Sequence, residues 1–176
     1  MLKLRKYVKS DAETIVRWIA DERSCYLWSA DRYGHYPVSP QDMNALYSDA
    51  DPDEFFPYTA YDESGLVGHL IMRYPSSEDR KVLRFGFIIV DYLKRGRGYG
   101  AEMLREALKI AFSEYAAEKV TLGVFRDNTP AALCYLKVGF HPPADPDAVK
   151  EREVEILGEP WVCCELEINK ADILQE

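Results

Sequence analysis

The residues best suited to chemistry are Arg95-Gly96-Arg97-Gly98-Tyr99-Gly100, set between the apolar run Val82 to Val90 and an amphipathic segment beginning at Ala101. A strand there feeds a helix through a turn of three glycines and two arginines. Glycines tolerate positive φ and let the backbone approach a ligand with no Cβ in the way, so successive N–H groups can converge on one anion. The free amides of the following helix add about half a unit of positive charge, and Arg95 and Arg97 add whole ones. This is the chemistry of a phosphate-binding turn. On these residues alone, a tight corner with solvated arginines remains the alternative.

Two familiar phosphate loops fail on spacing. A Walker loop needs Gly-Lys, and the chain has no such pair. A dinucleotide-binding fingerprint needs G-x-G-x-x-G with an acidic residue ending the next strand, whereas the glycines here fall as G-x-G-x-G and Glu118 precedes the next strand. The pattern that fits is Arg/Gln-x-x-Gly-x-Gly/Ala, read as Arg95-x-x-Gly98-x-Gly100. In this form the turn resembles the pyrophosphate loop of the GNAT superfamily of acyl-CoA-dependent N-acetyltransferases. Further along, Asn128-Thr-Pro-Ala-Ala-Leu-Cys-Tyr135-Leu-Lys-Val-Gly139-Phe140 resembles the superfamily's other signature, an Asn before a helix that carries Tyr and ends in Gly-Phe. Within the superfamily the chain most resembles the branch containing ribosomal-protein N-terminal acetyltransferases, on the helical start at Ser10 to Ala20 and the Trp28 region.

The resemblance implies acetyl-CoA as cosubstrate, lying where two parallel strands, Val82 to Val90 and Val120 to Phe125, splay apart. Its diphosphate would sit on Arg95, Gly96, Arg97, Gly98, Tyr99 and Gly100, and its pantetheine arm would pair with the backbone near Ile88, Ile89 and Val90. Asn128 would face the arm from the other strand. A backbone N–H near Ile89 or Val90 would polarise the thioester carbonyl, and attack by an amine bound in the same site would be direct.

Tyr135 matches the position of the acid that protonates the departing thiolate. A free tyrosine at pKa about 10 is a weaker acid than a thiol near 8.5, so full proton transfer runs uphill by roughly 2 kcal/mol. Hydrogen-bond stabilisation of the sulfur is therefore expected as much as protonation. A helix tyrosine packed on the sheet is the other reading.

Many relatives carry a Glu on the strand before the turn, yet Val82 to Val90 holds no carboxylate. A lysine-like amine at pKa about 10.4 is neutral at pH 7 only about once in 2,500 molecules, while an α-amine near 7.8 is far more often free. The missing base fits a protein or peptide N-terminus, or a base reached through water. Trp28 and Tyr33, the acidic run Asp49 to Glu54 and the loop Pro142 to Asp147 mark the acceptor side, where aromatic faces suit an ammonium group. Trp28 and Tyr33 as ordinary core and edge residues remain open. His35, His69 and His141 are isolated and read as structural.

Bulk properties narrow the partners. A chain of 176 residues suits one domain, residues 1–176, with its own core. With 22 Lys+Arg against 30 Asp+Glu the net charge is −8, which argues against nucleic acid and suits cationic partners. Cys25, Cys134, Cys163 and Cys164 form no C-x-x-C pair and have no His at metal spacing, so no metal is expected and the thiols read as reduced. The start Met1 to Lys6 lacks an apolar signal region, and no long apolar run suggests a membrane span, so a cytoplasmic protein is expected. A homodimer stays open.

The elements that must position these residues follow from periodicity. Leu2 to Val8 reads as a strand, Ser10 and Glu13 as a capping box opening a helix to Asp21, and Ser24 to Pro37 as an aromatic segment. Ser39 caps a helix with Pro40 at its start, running to Tyr47. Phe56 to Tyr61 and Leu66 to Tyr74 flank a hairpin turn. Met103, Leu104, Ala107, Leu108 and Ala111 form the apolar stripe of a helix from Ala101 to Tyr115. Thr129 caps a helix with Pro130 at its first position and Gly139 past its end. Val154 to Leu157 and Trp161 to Ile168 form a hairpin around Gly158-Glu159-Pro160, and Ala171 to Glu176 frays. This order of elements matches the fold that the resemblance implies, α/β (α+β), with one mixed, mostly antiparallel sheet of six to seven strands and helices on both faces.

The expected activity is acetyl transfer to a primary amine of a protein N-terminus, polyamine or small molecule. Two other classes stay open: a CoA-binding sensor or interaction module without catalysis, and a nucleotide-binding protein that uses the turn for ATP.

Overall fold

The computed structural model describes residues 1–173. Seven strands form one sheet in the order β1-β2-β3-β4-β5-β7-β6, where β1 is Lys3–Lys6, β2 Phe55–Asp62, β3 Gly65–Arg73, β4 Val82–Val90, β5 Lys119–Phe125, β6 Glu151–Ile156 and β7 Glu159–Asn169. Every neighbouring pair is antiparallel except β4 and β5. The mixed, mostly antiparallel sheet is the one the sequence implies.

Helices cover both faces. On one lies α4, Tyr99–Ser113, whose buried residues include the whole expected stripe from Met103 to Ala111. Leu104 and Leu108 are nearly inaccessible, and burial of each leucine contributes about 1.5–3 kcal/mol. α5, Thr129–Val138, joins the same core through Tyr135, and Phe140 follows it. The other face carries α1, Ala12–Ile15, α2, Glu22–Ser29, and α3, Pro40–Asp49. A terminal turn, α6, spans Lys170–Ile173 where fraying was expected from Ala171; residues 174–176 lie outside the described residues.

Several boundaries differ from expectation for local reasons. The single helix expected over Ser10 to Asp21 is broken into short 3₁₀ and α turns, and its start is fixed by Asp11, whose carboxylate accepts from the Val8 amide, and not by a Ser10–Glu13 box. Asp21 then caps a second helix, accepting from the Ser24 amide at 2.7 Å. The aromatic segment is thus helical as far as Ser29, so Trp28 sits on α2. α3 is capped by Ser39 as expected, whereas α5 starts one residue early, with Asn128 in the cap position. The last hairpin turns on Leu157 and Gly158, both at positive φ, and Glu159 and Pro160 already pair with β6. Gly158 takes up its positive φ freely, whereas Leu157 does so at a cost to its Cβ. No helix among the described residues is long and apolar enough to cross a membrane.

Candidate active site

β4 and β5 pair only over Val82–Arg84 and Lys119–Thr121. Beyond that the two strands part, because β5 continues its pairing with β7 as far as Phe125 while β4 continues with β3 as far as Val90. The opening is a cavity of about 510 Å³. Ile88, Ile89 and Val90 form one wall, Asn128 and Tyr135 the other, and the glycine turn one end.

The backbone of Val90 is aimed into this gap. Val90 stands opposite Gly68 on β3, and the Asp91 amide bonds the Val67 carbonyl at 3.0 Å. That pattern makes Val90–Gly68 a non-hydrogen-bonded pair, so the Val90 N–H and C=O point away from β3. By alternation the Ile89 amide points toward β3, which leaves Val90, of the two expected donors, facing the cavity. The side chain of Arg95 comes back to the same edge, with Nε 3.4 Å from the Val90 carbonyl.

A bulge bends β4 just before this point. His69 pairs with Ile89 and Ile71 with Gly86, so Phe87 and Ile88 together oppose Leu70. Phe87 adopts φ +47°, a conformation that costs a non-glycine residue about 1–2 kcal/mol. Nothing in the local sequence signals it. It is held by packing, since the Phe87 ring meets those of Trp28, Tyr33 and Tyr47.

In the glycine turn Gly96 and Gly98 have φ of +76° and +88°. Gly98 is the N-cap of α4 and offers no side-chain acceptor, so the first amides of the helix keep their hydrogen-bonding capacity for a ligand. Gly100 has a different reason: a Cβ there would stand 3.2 Å from Cys134 Sγ, so it sets how closely α4 approaches α5. Arg97 is exposed and does not line the cavity, and Tyr99 turns its hydroxyl to Asp62 at 2.7 Å.

Across the gap, the Asn128 backbone caps α5 while its side chain makes no capping bond. Tyr135 is 7% exposed and reaches the cavity wall. Burial raises its phenol above the ordinary value, and the neighbouring Cys134 acts in the same direction. A phenol so placed donates a hydrogen bond and keeps its proton.

On the expected acceptor side, Trp28 reaches the cavity and stacks on Tyr33, with centroids 5.7 Å apart, but Tyr33 itself does not line it. Trp28 Nε1 is buried without a hydrogen-bond partner among the described residues. The acidic residues up to Glu54 and the loop around Asp145 do not line the cavity either. His69, read as structural from sequence, is fully buried; its Nε2 lies 2.8 Å from the Tyr47 hydroxyl, and burial drives its pKa down to about 3. Its importance was invisible in sequence because its ring partners lie on distant elements. No group of three or more metal-ligating side chains occurs among the described residues.

The family model described as Acetyltransferase (GNAT) family matches residues 15–140. The uncharacterized, SPbeta prophage-derived N-acetyltransferase YokL of Bacillus subtilis (strain 168) is 30% identical over 108 residues, 60% of this chain and 59% of that protein. The L-amino acid N-acetyltransferase AaaT of Escherichia coli (strain K12) is 33% identical over 79 residues, 44% of this chain and 48% of that protein. The chain therefore spans about half of these relatives' lengths. Among solved structures, the spermidine N-acetyltransferase of Vibrio cholerae in complex with CoA and spermine superposes with a TM-score of 0.79 at 19% identity, covering 98% of both chains. That similarity concerns the fold.

Proposed function

The chain belongs to the acetyltransferase (GNAT) family, and from this we propose that residues 1–176 act as one domain that transfers the acetyl group of acetyl-CoA to a primary amine by direct attack in a ternary complex. The observation that carries this reading is the Val90 backbone, whose N–H and C=O face the gap beside the glycine turn. A strand edge left open at that place offers hydrogen bonds to an extended amide-bearing arm, and the turn offers amides to a diphosphate.

The residues then divide the work. Gly96, Gly98 and the first amides of α4 hold phosphate with Arg95 beside them. The Val90 N–H stabilises the oxyanion that develops as the amine nitrogen bonds the carbonyl carbon. As the carbon–sulfur bond breaks, the Tyr135 hydroxyl donates to the leaving thiolate, and the amine proton passes to water because no carboxylate stands on β4. A protein N-terminus, a polyamine or a small amine satisfies this scheme; resemblance to the ribosomal-protein branch favours the first, while AaaT is named for L-amino acids and the V. cholerae neighbour for spermidine.

The missing carboxylate also supports a second reading, a CoA-binding module without catalysis. Calorimetry with acetyl-CoA and a thiol-release assay over an amine panel separate the two. Binding with amine-stimulated CoA release is the expected result; binding without release supports the module, and absence of binding removes both.

A further inference from the structure

Arg73 on β3 and Arg84 on β4 stand directly opposite each other across the strand pair. Such partners place their Cβ atoms about 4.5–5.5 Å apart, so like charges there repel. One carboxylate answers the pair: Glu165 on β7 accepts from Arg84 through two bonds of 2.6 and 3.0 Å. Arg152 on β6 approaches that same carboxylate at 3.5 Å. Arg73 is half-buried and has no ion-pair partner among the described residues. Its pKa is held below the ordinary value by burial and then by the charges of Arg84, Arg32 and Arg152. Two guanidiniums thus share the one carboxylate, and Arg73 stands beside them without it, in a protein of net charge −8.

The place is built for them. A Cβ on Gly123 of β5 would lie 2.7 Å from Arg84 Nη2 and 2.8 Å from Cys163 Sγ, so glycine makes the room that the guanidinium fills. The arginines do not themselves line the cavity, but they share a sheet face with Ile89, which does and which pairs with His69. His69, Ile71 and Arg73 alternate onto one face of β3, where Tyr47 stacks on His69 and meets Phe87, and Phe87 meets Trp28 and Tyr33. Arg32 immediately precedes Tyr33. Trp28 Nε1 adds a buried donor without a partner among the described residues. Surplus cations and an unpaired donor recognise an oxyanion, not an ammonium group.

β4 rises about 3.3 Å per residue, so the six steps from Val90 to Arg84 span about 20 Å at the backbone, which the Phe87 bulge and the arginine side chains shorten. Given acetyl transfer at the Val90 gap, we propose that the acceptor is a small primary amine carrying a carboxylate or equivalent oxyanion several bonds from its nitrogen, held by Arg73 with Arg84 beside it. The acid at one end and the thioester at the other orient the amine for attack. A polycation is rejected by the same charges.

The test supplies the protein and acetyl-CoA with matched amines: 4-aminobutyrate and 5-aminovalerate, the amide of each, and spermidine. The acids are expected to give kcat/KM at least tenfold above their amides. Arg73→Gln should shrink that ratio at least tenfold through KM, with acetyl-CoA affinity unchanged by calorimetry and Arg73→Lys restoring part of the ratio. Because Arg73 opposes Arg84, R73Q should also raise Tm; a fall in Tm marks Arg73 as structural and overturns the assignment. Preference for the amides or spermidine, or a ratio that R73Q leaves intact, overturns the anion site while acetyl transfer stands. If no amine is turned over, it is the acetyl-transfer reading that fails. Calorimetry with glutarate then decides the site by itself: binding that R73Q abolishes supports it, and absence of binding overturns it.

Discussion

The Arg5 guanidinium reaches the Asp11 carboxylate through two hydrogen bonds of 2.8 Å, and the Thr59 hydroxyl and Val8 amide complete the same carboxylate. One acid, 3% exposed, ties β1, the first helical turn and β2 together. Burial alone would raise its pKa, but the contacts from Arg5, Val8 and Thr59 outweigh it and hold the value below the ordinary one. With the folded pKa below the unfolded one, the stabilisation is full above about pH 4 and is lost as pH falls through the folded value. Asp11→Asn should cost about 2–4 kcal/mol at pH 7 by urea unfolding, the partly exposed Arg5 keeping it below the fully buried case. It should also flatten the loss of stability below pH 4.

His69 predicts a second, separate pH response. Its folded pKa of about 3 lies below the ordinary value of 6.5, so the unfolded chain binds the proton first as pH falls. Stability should therefore decline from about pH 6.5 downward, with a contribution to the slope of up to about 1.4 kcal/mol per pH unit. His69→Gln, which keeps a donor and acceptor near Tyr47, should remove that part of the slope in unfolding curves measured between pH 6.5 and 4.5. An unchanged slope would exclude His69 as its source.

Tyr135→Phe should lower kcat at least tenfold and leave the calorimetric affinity for acetyl-CoA nearly as it was. Because burial raises the phenol above its ordinary value, the alkaline limb of the kcat profile up to pH 9 should be the same in both proteins. A Phe variant with full turnover would remove Tyr135 from the mechanism.

Gly98 has open space around its missing Cβ but φ of +88°, so an added methyl group meets backbone strain and not a neighbour. Gly98→Ala should lower stability by about 1 kcal/mol and weaken acetyl-CoA binding at least tenfold, since relief of the strain turns the amides of the turn. Gly100→Ala meets Cys134 Sγ at 3.2 Å and Val90 Cγ2 at an ordinary 3.7 Å and should bind within threefold of the parent. Equal losses for the two would show that the turn's conformation is immaterial to binding.

The glycine turn, the α4 stripe and the Asn128 to Phe140 helix were legible in the sequence because each depends on a short-range rule: φ preference, a 3.6-residue period, a cap. Trp28 escaped its helical assignment because the cap that starts α2 is Asp21, which in sequence reads equally well as the end of the preceding helix. The break in that helix depends on Arg5 and Thr59, residues of two strands that reach Asp11 only after the sheet forms.

By itself, then, the order of residues determined the strands, the helices α3, α4 and α5, a glycine turn that joins β4 to α4, and the place of Tyr135 on α5. Tertiary structure alone decided that β5 leaves β4 for β7 and opens the gap, that Val90 and not Ile89 turns its amide into it, and that Arg73 and Arg84 meet head-on. Strand register is a property of two segments at once. Neither segment carries it alone, and the chemistry that depends on register becomes readable only when the partners are set side by side.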